Sequence, residues 1–249
     1  MWGDSQAYQG VNVNKLSLAL KREVYSLAQH GSGVYDLLVF SDKVPEGAMV
    51  LLQIPKGAQK RTIYLDRNDS GLNIFAFKSL WENNYSLFDL LYIARNNLFT
   101  IPKFNKFSGS WKHHEGLHDN LHKKLLFESY KQIPDYIFDR QNIILSSIRK
   151  LINKKCIILL FDIPFHPTLQ EFEKKSELKL IFNSFEQKMI KEFNLPTDSI
   201  TFNNDQNIFF DLTHFNVLGN NMLTDSLSSR LNKLKFNKYL KFKIGVNNN

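Results

Sequence analysis

The sequence predicts an α/β chain: a three-layer sandwich around a parallel, doubly wound sheet. Three observations carry that prediction. The runs Met49-Val-Leu-Leu-Gln-Ile54 and Cys156-Ile-Ile-Leu-Leu-Phe161 are apolar without alternation, as strands buried on both faces must be. Stretches with helical spacing separate such runs, and strands joined through helices run parallel. The chain has 249 residues, 43% of them apolar, enough for one domain with a substantial core.

Taken in order, Val13 to Lys21 has helical spacing and Glu23 to Ala28 reads as a strand. Val34 to Lys43 is an amphipathic helix, and the run from Met49 ends as a strand at Pro55. Residues 56–118 fit the alternation less well and read as an insertion or cap over the site. Within it, Arg61 to Leu65 and Asn73 to Phe77 flank a turn-rich hairpin centre, and Leu87 to Leu98 is helical. Ile101 to Glu115 is aromatic and basic without a period. A long helical stretch from His118 to Ile152 leads into the strand Cys156 to Phe161. A loop through Pro167 follows, then a helix from Thr168 to Phe193, a short strand Ser199 to Phe202 and a closing helix Asn216 to Leu234. One domain therefore spans residues 1–234, and 235–249 form a basic tail with a frayed, Asn-rich end.

The charge balance narrows the function classes. Thirty-two Lys and Arg against 24 Asp and Glu give +8, with a pI near 9.4. That invites a nucleic-acid partner. The basic residues are scattered, however, apart from Lys154-Lys155, Lys174-Lys175 and the stretch Lys233 to Lys243, and no helix-turn-helix, RNA-binding or zinc-finger signature is present, so no nucleic-acid partner is assigned. Acidic glycans and anionic lipid headgroups fit the surface as well. The single cysteine, Cys156, lies in an apolar run and has no second cysteine to pair with. No stretch of about 18 apolar residues suggests a membrane span.

Chemistry concentrates at the two ends. Gly3-Asp4-Ser5 offers a nucleophile, and Asp211-Leu-Thr-His214 offers a base with a carboxylate three residues before it. Ser-His-Asp chemistry needs these groups within hydrogen-bond reach, whatever their chain order. A structural alternative has Asp211 capping the last helix with His214 packed beneath. A second constellation, His114-Glu-Gly-Leu-His118, matches a His-Glu-x-x-His zinc pattern with Glu115 as base. Gly116 weakens the helix that pattern needs, and no third ligand follows in context. A metal site at His114, Glu115 and His118 therefore ranks below a solvated, histidine-rich helix start, and no cofactor is assigned.

These motifs resemble the SGNH (GDSL-type) hydrolase superfamily. Gly3-Asp4-Ser5 is similar to its first block, and Asp211 to Gly219 to its last, including Asn216 and Gly219. Tyr25 to Gly33 is similar to its second. The resemblance implies a flavodoxin-like sheet, with Ser5 as nucleophile, His214 as base and Asp211 orienting it. It further implies an oxyanion hole from the N–H groups of Ser5 and Gly31, with Gly33 as substitute. It implies a central strand leading into Gly3, yet only Met1 and Trp2 precede it. The first strand is thus expected to be truncated, and the natural chain to start further upstream or this sequence to be a fragment. Location is cytoplasmic as the chain stands, or envelope-associated if a leading segment carries a signal.

The chain departs from the family at the third block, where an Asn should follow the third strand. Pro55-Lys-Gly57 stands there, and the amides of Gln53 and Gln59 align poorly with it. Proteins lacking this Asn include those resembling the lipoteichoic-acid D-alanylation hydrolase, and Pro164-Phe-His166-Pro167 looks like their Pro-x-His-Pro loop. The resemblance therefore implies an esterase or O-acyltransferase on acylated carbohydrate or lipid-type substrates, with His166 lining the cleft or serving as an ordinary loop histidine. The rival expectations are a catalytically weak relative that binds acylated glycans, and the zinc protease. Oligomeric state is not legible.

Overall fold

The computed structural model describes residues 1–28, 33–54, 81, 137–174, 176–199 and 205–246. It is a mixed α/β arrangement. Strands β1 (Met49–Leu52), β2 (Ile157–Asp162) and β3 (Thr197–Ser199) form a parallel sheet in the order β1-β2-β3. Met49 is paired with Ile157 and Leu160 with Thr197. Seven α-helices are described: α1 (Ser5–Gly10), α2 (Val13–Leu20), α3 (Val34–Lys43), α4 (Ile137–Asn153), α5 (Pro167–Glu173), α6 (Glu177–Phe193) and α7 (Val217–Val246).

Alternation along the strands explains why their runs are apolar throughout. Val50 and Leu52 of β1 and Ile158 and Leu160 of β2 join one apolar cluster with Leu37, Ile144, Ile148 and Met189 from α3, α4 and α6. The intervening Leu51, Leu159 and Phe161 join a second with Ala7, Leu16, Leu223 and Leu227 from α1, α2 and α7. Both faces of the sheet are thus covered, and each fully buried leucine contributes roughly 1.5–3 kcal/mol. Lys154, half of a basic pair in the sequence, donates to the carbonyls of Ser41, Asp42 and Val44 and so closes the end of α3.

The two residues that lead into Gly3 are paired on both sides. Trp2 N–H donates to Leu51 O (2.9 Å), and Gln53 N–H donates back to Trp2 O (3.0 Å), so Trp2 lies parallel to β1. On the other side the Met1 nitrogen donates to Tyr25 O (2.7 Å), and Leu27 N–H to Met1 O (2.9 Å). The expected strand Glu23 to Ala28 is accordingly not a regular strand. Among the described residues its main-chain pairing is the two bonds to Met1, too few for a ladder.

Other boundaries moved for local reasons. The expected helix from Thr168 to Phe193 is two helices, each with its own N-terminal residue, His166 before Pro167 and Ser176 before Glu177. α7 continues to Val246, well into the tail read as a separate segment. β3 begins two residues before its expected start, and residues 200–204 lie outside the described set. So do the 56–118 insertion apart from Trp81, with its hairpin and helix, and the first part of the 118–152 helical stretch.

Candidate active site

Ser5 is placed by a short strand that becomes a helix. The chain leaves the Trp2 pairing, passes Gly3 and enters α1 at Ser5, with the Asp4 carboxylate accepting the N–H of Gln6 (2.9 Å) as N-cap. Gly3 is required by crowding: a Cβ there would sit 2.4 Å from Gln53 Oε1 and 2.5 Å from Ala7 Cβ. The turn therefore presses against the end of β1, at the carboxyl edge of the sheet, where open parallel sheets place their sites.

The second half of the site is a loop closed on itself between the 3-10 turn Gln206–Ile208 and α7. Phe209 and Phe215 pair across its neck, and Phe210 N–H donates to His214 O (2.9 Å). Asn216, not Asp211, caps α7, its side-chain oxygen accepting Leu218 N–H and Gly219 N–H at 3.0 and 3.2 Å. Gly219 is needed because a Cβ would fall 2.4 Å from Ile208 O and 2.8 Å from the Phe215 ring. The helix end thus anchors the loop and leaves Asp211 to other partners.

Those partners are His214 and its neighbours. Asp211 Oδ1 accepts the N–H groups of Thr213 and His214, both at 2.7 Å, and the Thr213 hydroxyl at 3.0 Å. Asp211 Oδ2 lies 2.8 Å from His214 Nδ1, and His214 Nε2 lies 2.9 Å from Ser5 Oγ. Burial pushes the Asp211 carboxyl up. The hydrogen bond and charge of His214, with the two backbone N–H groups, outweigh that and bring it down to about 2. The ionised carboxylate fixes the imidazole with its proton on Nδ1, which leaves the Nε2 lone pair facing the serine hydroxyl. Three groups of the right types, in two unbroken hydrogen bonds, can take a proton from Ser5.

The remaining expected residues fare differently. Gly31 lies outside the described residues, as do His114, Glu115 and His118. Gly33 is described, and its N–H is committed: it donates to the Asp36 carboxylate (2.7 Å) at the start of α3. That corrects its reading as a substitute oxyanion donor. His166 is buried (4% exposed) rather than facing a cleft. Its Nδ1 accepts Thr168 N–H (3.2 Å) to cap α5, and its ring meets Phe209 edge-on. Its own N–H donates to Leu212 O (3.0 Å), so it steadies the Asp211–His214 loop. Among the described residues no group of three or more His, Cys, Asp or Glu could hold a metal ion. No described helix is long and apolar enough to cross a membrane.

A cavity of about 820 Å³ lies against the amino-terminal half of β1, lined by Leu20, Val24, Leu27, Val44, Met49 and Leu51 among others. Ser5, Asp211 and His214 do not line it, so its size says nothing about this chemistry. Thr213 and Gln6 were not legible as site residues. Thr213 is an unremarked residue inside Asp-x-x-His, and Gln6 is an ordinary helix residue until the fold brings Thr213 beside it. No protein-family model matches the chain, and no curated protein matches it.

Proposed function

We propose that the chain is a serine-dependent ester hydrolase or O-acyltransferase that works through an acyl-enzyme at Ser5. The observation that carries this reading is the continuous line Ser5 Oγ, His214 Nε2, His214 Nδ1, Asp211 Oδ2, with contacts of 2.9 and 2.8 Å. His214 Nε2 takes the hydroxyl proton as Ser5 Oγ bonds to the ester carbon, and the carbonyl electron pair moves onto oxygen. The tetrahedral species collapses, the leaving-group C–O bond breaks, and His214 returns the proton to the departing oxygen. A water or sugar hydroxyl then repeats the sequence in reverse and carries the acyl group away. Asp211 stays ionised throughout and stabilises the imidazolium. The Ser5 N–H, in the first turn of α1, is the proposed first oxyanion donor, and Gly31 the proposed second.

The resemblance to SGNH hydrolases supports the same reading. So does the sheet edge, which in that reading belongs to a three-layer, doubly wound, flavodoxin-like sheet with Met1–Trp2 at the place of its central strand. Acylated glycans or lipid-linked carriers are the proposed substrates, because the chain lacks the third-block Asn and carries the Pro-x-His-Pro loop. A second reading, a binding protein with little turnover, is favoured by one observation: the Gln53 side-chain amide, which lies against Gly3 and Asp4, donates its N–H to Gln6.

A fluorophosphonate probe and p-nitrophenyl acetate test the proposal. The native protein should label and turn over the ester, and Ser5→Ala should lose both, by at least about 1,000-fold in rate, while remaining folded. Equal turnover in the two proteins overturns the proposal. A folded native protein that takes no probe favours the binding reading.

A further inference from the structure

The residues on either side of Ser5 belong to a buried chain of amides that no motif records. Gln53, 1% exposed, follows β1. Its Oε1 accepts the N–H of Asp4 (3.1 Å), and its Nε2 donates to Gln6 Oε1 (3.2 Å). Gln6, also buried, donates from Nε2 to the carbonyl of Thr213 (2.7 Å). The chain thus runs from the backbone before Ser5, through two side-chain amides, to the backbone before His214. Its polarity is fixed from both ends. A backbone N–H at Asp4 demands an oxygen from Gln53, and a backbone carbonyl at Thr213 demands an N–H from Gln6. Neither amide can flip without facing like against like inside the protein.

We propose that Gln6 and Gln53 are positioning residues that hold the nucleophile turn and the Asp211–His214 loop at bonding distance; this rests on the acyl-enzyme reading above. The two halves come from opposite ends of the chain, and Gln6, next to Ser5, bridges them through the carbonyl of Thr213, next to His214. Gln53 anchors that bridge to the sheet, and the space it occupies is what makes position 3 a glycine. Glutamine suits the task because each link must both accept and donate. A carboxylate at position 6 cannot donate to Thr213 O, whereas a neutral carboxylic acid can.

That difference supplies the test. Gln6→Met keeps the volume and removes both bonds. It should slow fluorophosphonate labelling and lower kcat for p-nitrophenyl acetate about 10- to 100-fold, with KM little changed. Gln6→Glu should be as poor as Gln6→Met above neutrality and recover toward the native rate as the pH falls and its carboxyl protonates. Native rates in folded Gln6→Met, or a Gln6→Glu defect that is the same at every pH, would overturn the proposal. Failure of the acyl-enzyme reading itself would show separately, as a native protein no more reactive than Ser5→Ala. In that event the His214 ring resonances decide. They should move in Gln6→Met as they do in Ser5→Ala, and unmoved resonances would refute the bracing role.

Discussion

Two aspartates in this molecule sit in similar local frames and end in opposite states. Asp36 is the third residue of α3 and accepts one N–H, from Gly33, three residues before it. Asp211 accepts backbone N–H groups two and three residues after it, then the Thr213 hydroxyl and the His214 ring as well. Asp36 is buried with its Oδ1 left without a partner, and burial, only partly offset by the Gly33 hydrogen bond, pushes its carboxyl up to about 6. Asp211 is held down at about 2. Burial raises both, but Asp211 is less deeply buried and has the His214 ring and its charge beside it as well as more donors, and these differences decide which carboxylate keeps its charge. One is equipped to hold an imidazolium; the other closes a helix and is half-neutral near pH 6.

The comparison breaks most severely at Asp211. Asp211→Asn keeps the shape and removes the charge, leaving the imidazole free to adopt the wrong tautomer. The kcat for p-nitrophenyl acetate should fall about 10,000-fold, with unchanged circular dichroism; a loss under tenfold would mean the carboxylate does no orienting.

Asp36→Asn should act in the other direction, on stability. A carboxyl raised from 3.8 to about 6 binds its proton more tightly when folded, so the folded state loses stability as pH rises from 4 to 6. Asparagine carries no such penalty and still accepts the Gly33 N–H. Urea unfolding should show a gain of about 2 kcal/mol at pH 7.5 and none at pH 4. An equal effect at both values would show that Asp36 is not held protonated.

The smallest effect is expected from Thr213→Val, which removes one donor of several. For Asp211 the sign is reversed: its depressed pKa contributes stability above pH 4 that is lost as pH falls toward 2. Thr213→Val should shrink that acid loss by about 1 kcal/mol, measured by urea unfolding between pH 5 and 2. An unchanged acid limb would mean the hydroxyl bond adds nothing to the two backbone N–H groups.

Much of this arrangement was legible because it is local. The runs at Met49 and Cys156 had to be strands buried on both faces, and Val34 to Lys43 forms the helix its spacing describes. Asp211 and His214 are three residues apart, so one tight loop joins them whatever else folds. What was illegible depends on residues far apart in sequence. His166 suited a cleft until the fold brought Leu212 and Phe209 against it. Nothing near Gln6 in the sequence announces Thr213, 207 residues away.

The sequence by itself determined which groups are present and which are bound to be neighbours: a serine after Gly-Asp, an imidazole with its carboxylate, and strands too apolar to face water. Only the tertiary structure decided which donors remain to do chemistry. A backbone N–H can be spent once, on a carboxylate, a helix cap or a substrate. That allocation is made by long-range packing: Met1 and Trp2 wedged between two segments, Gln53 lying across Gly3, and Gln6 reaching the loop that carries His214.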